Sequence, residues 1–311
     1  MGIYTYQGTE IPTASEFVSI KNFGAAGDGE TDDALSLQSA LNALKDTGGI
    51  IYFPVGTYLI KTPVLFYSNQ TLWFESGAVL MQGAGIDSLL RSYCQSSYTG
   101  YDGVHDVLIY GAVLDGGAFE IDNSLAAVGH TKNVTFERCI FRNAYGAYHN
   151  LEINSSYNVK VKDCDFEGSR KTGQNAELIQ IDGALSTMVY PWTGFAVDQT
   201  ISKYIDIDGC IFYDDTISPA IGNHANAAHQ YIRIHDCIFD GLTSSRGAIN
   251  FTSSVADVDI HDNTFVGCTK GIGSAAGTYY IHDNRFVDVT TAISGSTSVA
   301  HNNMVNGIYT A

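Results

Sequence analysis

The sequence predicts an all-β chain wound as a single-stranded parallel β-helix, with one short α-helix closing its N-terminal end. Three observations carry this reading. A six-residue pattern recurs through the C-terminal half, a second apolar segment precedes its copies, and helical periodicity occurs once, near residue 33. The 311 residues, 45% hydrophobic and 16% charged, suit one structural domain of this kind.

Residues 1–17 read as an N-terminal tail. "MGIYTYQGTEIPTASEF" has neither the basic nor the apolar region of a signal peptide. Residues 18–60 read as a capping segment. Within it Thr31 or Asp32 caps "DDALSLQSALNALKDTGG", Ala34, Leu37, Leu41 and Leu44 share one face, and Gly48 ends the helix. An amphipathic helix here covers the otherwise open end of a stacked core. Asp28, Asp32 and Asp33 fall in the turn and first helical turn, where carboxylates accept from backbone N–H groups. The ligand spacing of a calcium loop is absent.

Residues 61–311 read as the coil. "FERCIF" (136), "VKDCDF" (161), "IDGCIF" (207), "IHDCIF" (234), "IHDNTF" (260), "IHDNRF" (281) and the weaker "AHNNMV" (300) share one form. Their Cys or Asn positions lie 25, 46, 27, 26, 21 and 19 residues apart, so one turn takes about two dozen residues and the 46 contains an insertion. Short strands separated by Gly, Asn, Asp and Ser, with no amphipathic helix between them, stack as parallel sheets. The six cysteines form no CxxC pair. Cys139, Cys164, Cys210 and Cys237 occupy the repeated position, which predicts a ladder of buried free thiols.

The formal net charge of −17 excludes nucleic acid and anionic membranes as partners, and disfavours an anionic glycan without Ca²⁺ or a local basic patch. No apolar run approaches the length of a membrane span.

"SIKNFGAAGDGETDDALSLQSALNAL" followed by "GGIIYFPVGTYLI" resembles the opening segment of pectin-lyase-like right-handed parallel β-helix proteins, closest to the branch of phage tailspikes and glycan depolymerases. "VLIYGAVLDGG" (107–117) resembles the early turn of polygalacturonase-like members. The resemblance runs from residue 17 to about 305. It implies a right-handed coil, a polysaccharide substrate or ligand, an extracellular or virion-surface location, and a homotrimer.

Two strands concentrate the chemistry. "HNLEIN" (149–154) and "ELIQID" (177–182) align at an offset of 28, setting His149 over Glu177, Glu152 over Gln180 and Asn154 over Asp182. On adjacent rungs Glu152 and Asp182 lie on a diagonal, their backbones roughly 8 Å apart. Two carboxylates so placed suit a glycoside hydrolase, with Glu152 as general acid and Asp182 as base. His149 and Glu177 are expected to tune the pair, by pairing as imidazolium and carboxylate or by proton transfer through His149. Asn154, Gln180, Asn223, His224 and Asn250 are expected to bind substrate from the wet outer face of the coil.

The insertion 183–203 follows Asp182 and carries Met188, Tyr190, Trp192, Phe195 and a spare carboxylate, Asp198. Tyr190 and Trp192 are expected as an exposed wall for sugar stacking, the alternative being that the aromatics pack the loop onto the coil. Neither a metal nor a cofactor is expected, unless the chain is a lyase, which would use Ca²⁺ and a basic residue. Arg142 and "SRK" (169–171) are the nearest cations, and neither lies on the two strands. Elimination therefore ranks second and a metal-assisted phosphodiesterase third. The rival from another class is a non-catalytic glycan- or receptor-binding β-helix.

Overall fold

The computed structural model of the chain describes residues 5–6, 9–10, 16–145, 149–170, 177–186, 191–213, 218–224, 228–252, 255–274, 277–295 and 298–310. Among these, the strands form three long sheets of nine, eleven and twelve members, apart from an antiparallel pair at Thr5–Tyr6 and Thr9–Glu10. Neighbours within each sheet are one coil apart in sequence, as Lys132–Glu137, Tyr157–Lys162 and Lys203–Asp208 show in the eleven-stranded sheet. All pairings in the three sheets are parallel except the last, where Ile308–Thr310 turns back on Asn303–Val305.

The sheets begin earlier than the division at residue 61. Phe17–Ser19 pairs with Gly49–Phe53, and Asp28–Asp32 with Gly56–Ile60. The capping segment thus supplies the first coil as well as the cap. This pairing also moves the helix start. Thr31 and Asp32 belong to a strand and the helix runs Ala34–Ala43 with Asp33 at its N-cap position, yet the Asp32 carboxylate still caps it, accepting from the Ala34 N–H at 3.2 Å. The Asp33 carboxylate turns backward and accepts from the N–H groups of Ala26 (2.6 Å) and Gly27 (2.9 Å). Asp28 accepts from Glu30 N, Thr31 N and the Thr31 hydroxyl, and these bonds hold its carboxyl down to about 2. Ala34, Leu37 and Leu41 are buried as expected, and so is Leu44 just beyond the helix. The helix stops before Gly48, which is needed for another reason: at φ +71° a Cβ there would sit 2.5 Å from the Asn69 carbonyl oxygen.

The six-residue pattern is one corner of the coil. Arg138, Asp163, Asp236, Asp262, Asp283 and Asn302 hold φ between 51° and 55–56°, and Gly209 holds 64°. This left-handed position explains the run of Asp, Asn and Gly before the repeated Cys or Asn. The following residue points inward and caps its neighbour. The Cys139 N–H meets Cys164 Sγ at 3.4 Å and the Cys210 N–H meets Cys237 Sγ at 3.4 Å. The N–H groups of Cys237, Asn263 and Asn284 donate to the Asn263, Asn284 and Asn303 side chains at 3.0–3.1 Å. The cysteines are free and their role is structural. Two residues on, Phe141, Phe166, Phe212, Phe239, Phe265 and Phe286 stack with centroids 4.5–5.0 Å apart, matching the strand spacing.

Candidate functional site on the nine-stranded sheet

Leu151–Asn154 and Ile179–Asp182 are adjacent strands of the nine-stranded sheet, and Ile221–Asn223 and Ile249–Phe251 follow. The register pairs Glu152 with Gln180 and Asn154 with Asp182. The isoleucines between them face the core, so the intervening polar side chains are forced to the outer face.

The outer face here is not wet. Glu152 is 3% exposed, His149 4%, and Glu177 and Asp182 are fully buried. A buried polar group must be paired, and the pairing separates the two carboxylates. Glu152 accepts from the Ser124 hydroxyl (2.9 Å) and the Asn154 amide (2.8 Å). Asp182 accepts from the Gln180 amide, and its other oxygen lies 3.9 Å from His229 Nε2. Asn154 and Gln180 therefore serve the carboxylates directly, where substrate contact had been expected. The Ser202 N–H donates to His229 Nδ1 at 3.0 Å. The neutral ring consequently carries its hydrogen on Nε2, facing Asp182.

Glu177 anchors the other half of the cluster. Its carboxylate pairs with His224 Nε2 through one oxygen and with Arg246 Nη2 at 3.0 Å through the other. His149 does not pair with this carboxylate as an imidazolium. Its Nδ1–H donates to the Glu177 carbonyl at 2.7 Å, and burial lowers its pKa to about 4, so the ring is neutral. The same burial brings His229 to about 4. Glu152 moves the other way: burial raises it to about 7, against the Asn154 and Ser124 hydrogen bonds and with added repulsion from Asp182.

His149, Glu177 and His224 bring ligand-type atoms within 4.8 Å of one another. His224 and Arg246 stand against the two Glu177 oxygens in the same cluster. Asn223 is fully buried, with Oδ1 accepting from the Thr252 N–H at 2.8 Å, a brace between rungs rather than a substrate contact. Asn250 is half-buried on the next rung, and the His224 side chain is the most open of the group at 33%.

The loop after Asp182 packs on the same face, against Ala127, the register partner of Glu152. Trp192 and Phe195 pack on Ala127 and Ala184, and the Trp192 indole N–H donates to the Ser92 carbonyl at 2.7 Å. Trp192 is 7% exposed, so it anchors the loop and offers no stacking wall. Tyr190 and Met188 lie outside the described residues. Asp198 accepts from the N–H groups of Gly100 (2.7 Å) and Thr200 (3.0 Å), a fastening role far from acid–base chemistry.

Sequence reading missed Ser124, His229 and Arg246. Ser124 opens the otherwise apolar strand "SLAAVG", and His229 and Arg246 sit in turns. Their only sequence signal is a polar residue at or shortly before the start of a strand, which gains meaning once the rungs are stacked. Arg142 and Arg170 are tied elsewhere, to Asp115 at 2.8 Å and to the Phe119 carbonyl at 2.8 Å.

Three parallel sheets with a polar cluster on one face and a ladder at one corner define a right-handed parallel β-helix protein. Residues 17–295 match the family described as rhamnogalacturonase A/epimerase, pectate lyase-like, and the chain belongs to it. It is 30% identical over 291 residues to the plasmin and fibronectin-binding protein A of Streptococcus pneumoniae, covering 82% of this chain and 40% of that protein. It is 25% identical over 279 residues to the pre-neck appendage protein of Bacillus phage phi29, covering 85% of this chain and 28% of that one. The crystal structure of PfbA, a surface adhesin of Streptococcus pneumoniae, superposes with a TM-score of 0.76 at 22% identity, covering 93% of this chain and 78% of the other. The chain thus spans well under half the length of these two sequence relatives.

Proposed function

We propose that this β-helix is a glycan-cleaving hydrolase carried on a cell or virion surface, with Glu152 as proton donor and Asp182 as base or nucleophile. The observation that carries the reading is the buried pair of carboxylates on adjacent rungs, each with its own donor set. Glu152 holds its proton near neutrality and delivers it to the glycosidic oxygen. Asp182, facing the Gln180 amide and the His229 N–H, activates water or attacks the anomeric carbon.

Among the described residues Arg246 is a cation that the fold brings to this cluster, paired with Glu177, and a guanidinium is a poor base for an elimination. Hydrolysis therefore ranks above lyase action. Non-catalytic binding is the second reading, favoured by one specific observation: the carboxylates are 3% exposed or less. Incubation with a panel of bacterial surface polysaccharides tests the choice between reactions. New reducing ends without the absorbance of unsaturated uronates support hydrolysis. Reducing ends accompanied by that absorbance would transfer the site to a lyase, and neither signal across the panel would favour binding alone.

A further inference from the structure

The outer face of the eleven-stranded sheet carries a second feature, unrelated to the carboxylate cluster. Tyr157, Tyr204 and Tyr231 lie on successive rungs and remain 36%, 43% and 42% exposed. Tyr157 meets Tyr204 edge-on at 4.9 Å, and Tyr204 stacks on Tyr231 at 4.6 Å and 15°. Rings stacked in this way turn their faces along the coil axis. The stack then stops, because the next rung places Asp257 where another ring would stand. One face of Tyr231 is left fronting a slot within a concavity of about 480 Å³, lined also by Asp257, Asp259 and, one rung on and beside Asp259, Tyr280.

The charges around this slot nearly compensate one another, two cations against three carboxylates. Lys160, Asp206, Arg233 and Asp259 occupy one column on four consecutive rungs, alternating in sign. Asp206 and Asp259 are also bonded to His235 and His282 at 3.2 and 3.1 Å. A polyanion would meet three carboxylates here, and a polycation would meet Lys160 and Arg233. A neutral ligand that offers many hydroxyls and one flat apolar face fits better. Its face covers the Tyr231 ring, while its hydroxyls donate to Asp257 and Asp259 and accept from Arg233.

We propose that the slot between Tyr231 and Tyr280 is a binding site for a neutral sugar unit of a glycan chain, separate from the carboxylate pair. The site does not depend on whether that pair cleaves anything.

The column itself supplies fold-compatible variants. Tyr204, Tyr231 and Asp257 share φ values of 56°, 58° and 56°, and Asn158 holds 55° one rung above Tyr204. Tyr231→Asn therefore removes the ring with a residue this column already accepts. Asp257→Tyr extends the stack and fills the slot with a ring the column also accepts. The test uses the full chain carrying Glu152→Gln and Asp182→Asn, so that nothing is cleaved. Titration calorimetry is run with linear hexasaccharides of glucose, galactose and mannose, with hexagalacturonate and hexalysine as charged controls. At least one neutral chain should bind, and either Tyr231→Asn or Asp257→Tyr should weaken it about tenfold or more. Failure of every neutral chain to bind, binding indifferent to both substitutions, or tighter binding of a charged control that the substitutions abolish would each overturn the proposal.

Discussion

Glu152 is where the account is most exposed to test at the scale of single residues. Burial raises its folded-state pKa from 4.5 to about 7. A carboxyl raised in this way supports the fold fully below its unfolded pKa and loses that support as pH rises through about 7. Glu152→Gln removes the liability. At pH 8 the variant should be more stable than the parent by on the order of 2–3 kcal/mol, while at pH 4 the two should be alike. Chemical denaturation at both pH values measures this, and equal stability at pH 8 would show that Glu152 is ionised at no cost. His149 and His229 have the opposite sign. Held near 4 by burial, they support the fold above about 6.5 and lose that support as pH falls through 4.

At the scale of elements, two features lead to predictions. Trp192 fastens the loop after Asp182 through Ala127, Ala184 and the Ser92 carbonyl. Its contacts tie the loop to two coil strands through a small cluster separate from the main core, so Trp192→Ala should free the loop locally. Hydrogen exchange at residues 191–202 should rise at least tenfold while global unfolding shifts little; protection unchanged there would contradict the anchoring role. The second feature is a stack of four imidazoles, His235, His261, His282 and His301, with centroids 5.0–5.1 Å apart. Partial burial opposes charge on His235 and His282. For His235 this is outweighed by Asp236, Asp208 and Asp206, and for His282 by Asp283 and Asp259, so both pKa values rise. Their stabilisation is present below the unfolded pKa and fades as pH rises through the folded value. His235→Gln with His282→Gln should flatten that part of the pH dependence, as thermal scans from pH 6 to pH 8 would register.

The whole molecule shows how much of this was legible. The repeat from Cys139 to Asn303 was readable because a coil repeats its environment every turn, so the same corner selects the same residue types. The offset of 28 between the two key strands was likewise readable, since register follows from alternation. Burial of the site was not. Alternation says which side chains leave the core, and it is silent on whether neighbouring rungs and loops then bury them, as happens to Glu152, Glu177 and Asp182. Partners such as His229 and Arg246, 47 and 69 residues from their carboxylates Asp182 and Glu177, become neighbours only through coil geometry. Asp32 caps the helix as the sequence indicates, but its backbone is strand, because Asp28–Asp32 pairs with a strand 28 residues downstream. The ring column also implies stability spread evenly along the coil. Phe212→Ala, in the middle of the stack, should cost about 3–5 kcal/mol of unfolding free energy by chemical denaturation.

In the proposed hydrolysis Glu152 and Asp182 cleave a bound glycan, and removing both separates cleavage from binding. Reducing-end release and polysaccharide binding are measured side by side for the parent chain and for the Glu152→Gln, Asp182→Asn double variant. Cleavage should fall by roughly 10²-fold or more while binding persists within a few-fold. Undiminished cleavage by the double variant would contradict the assignment.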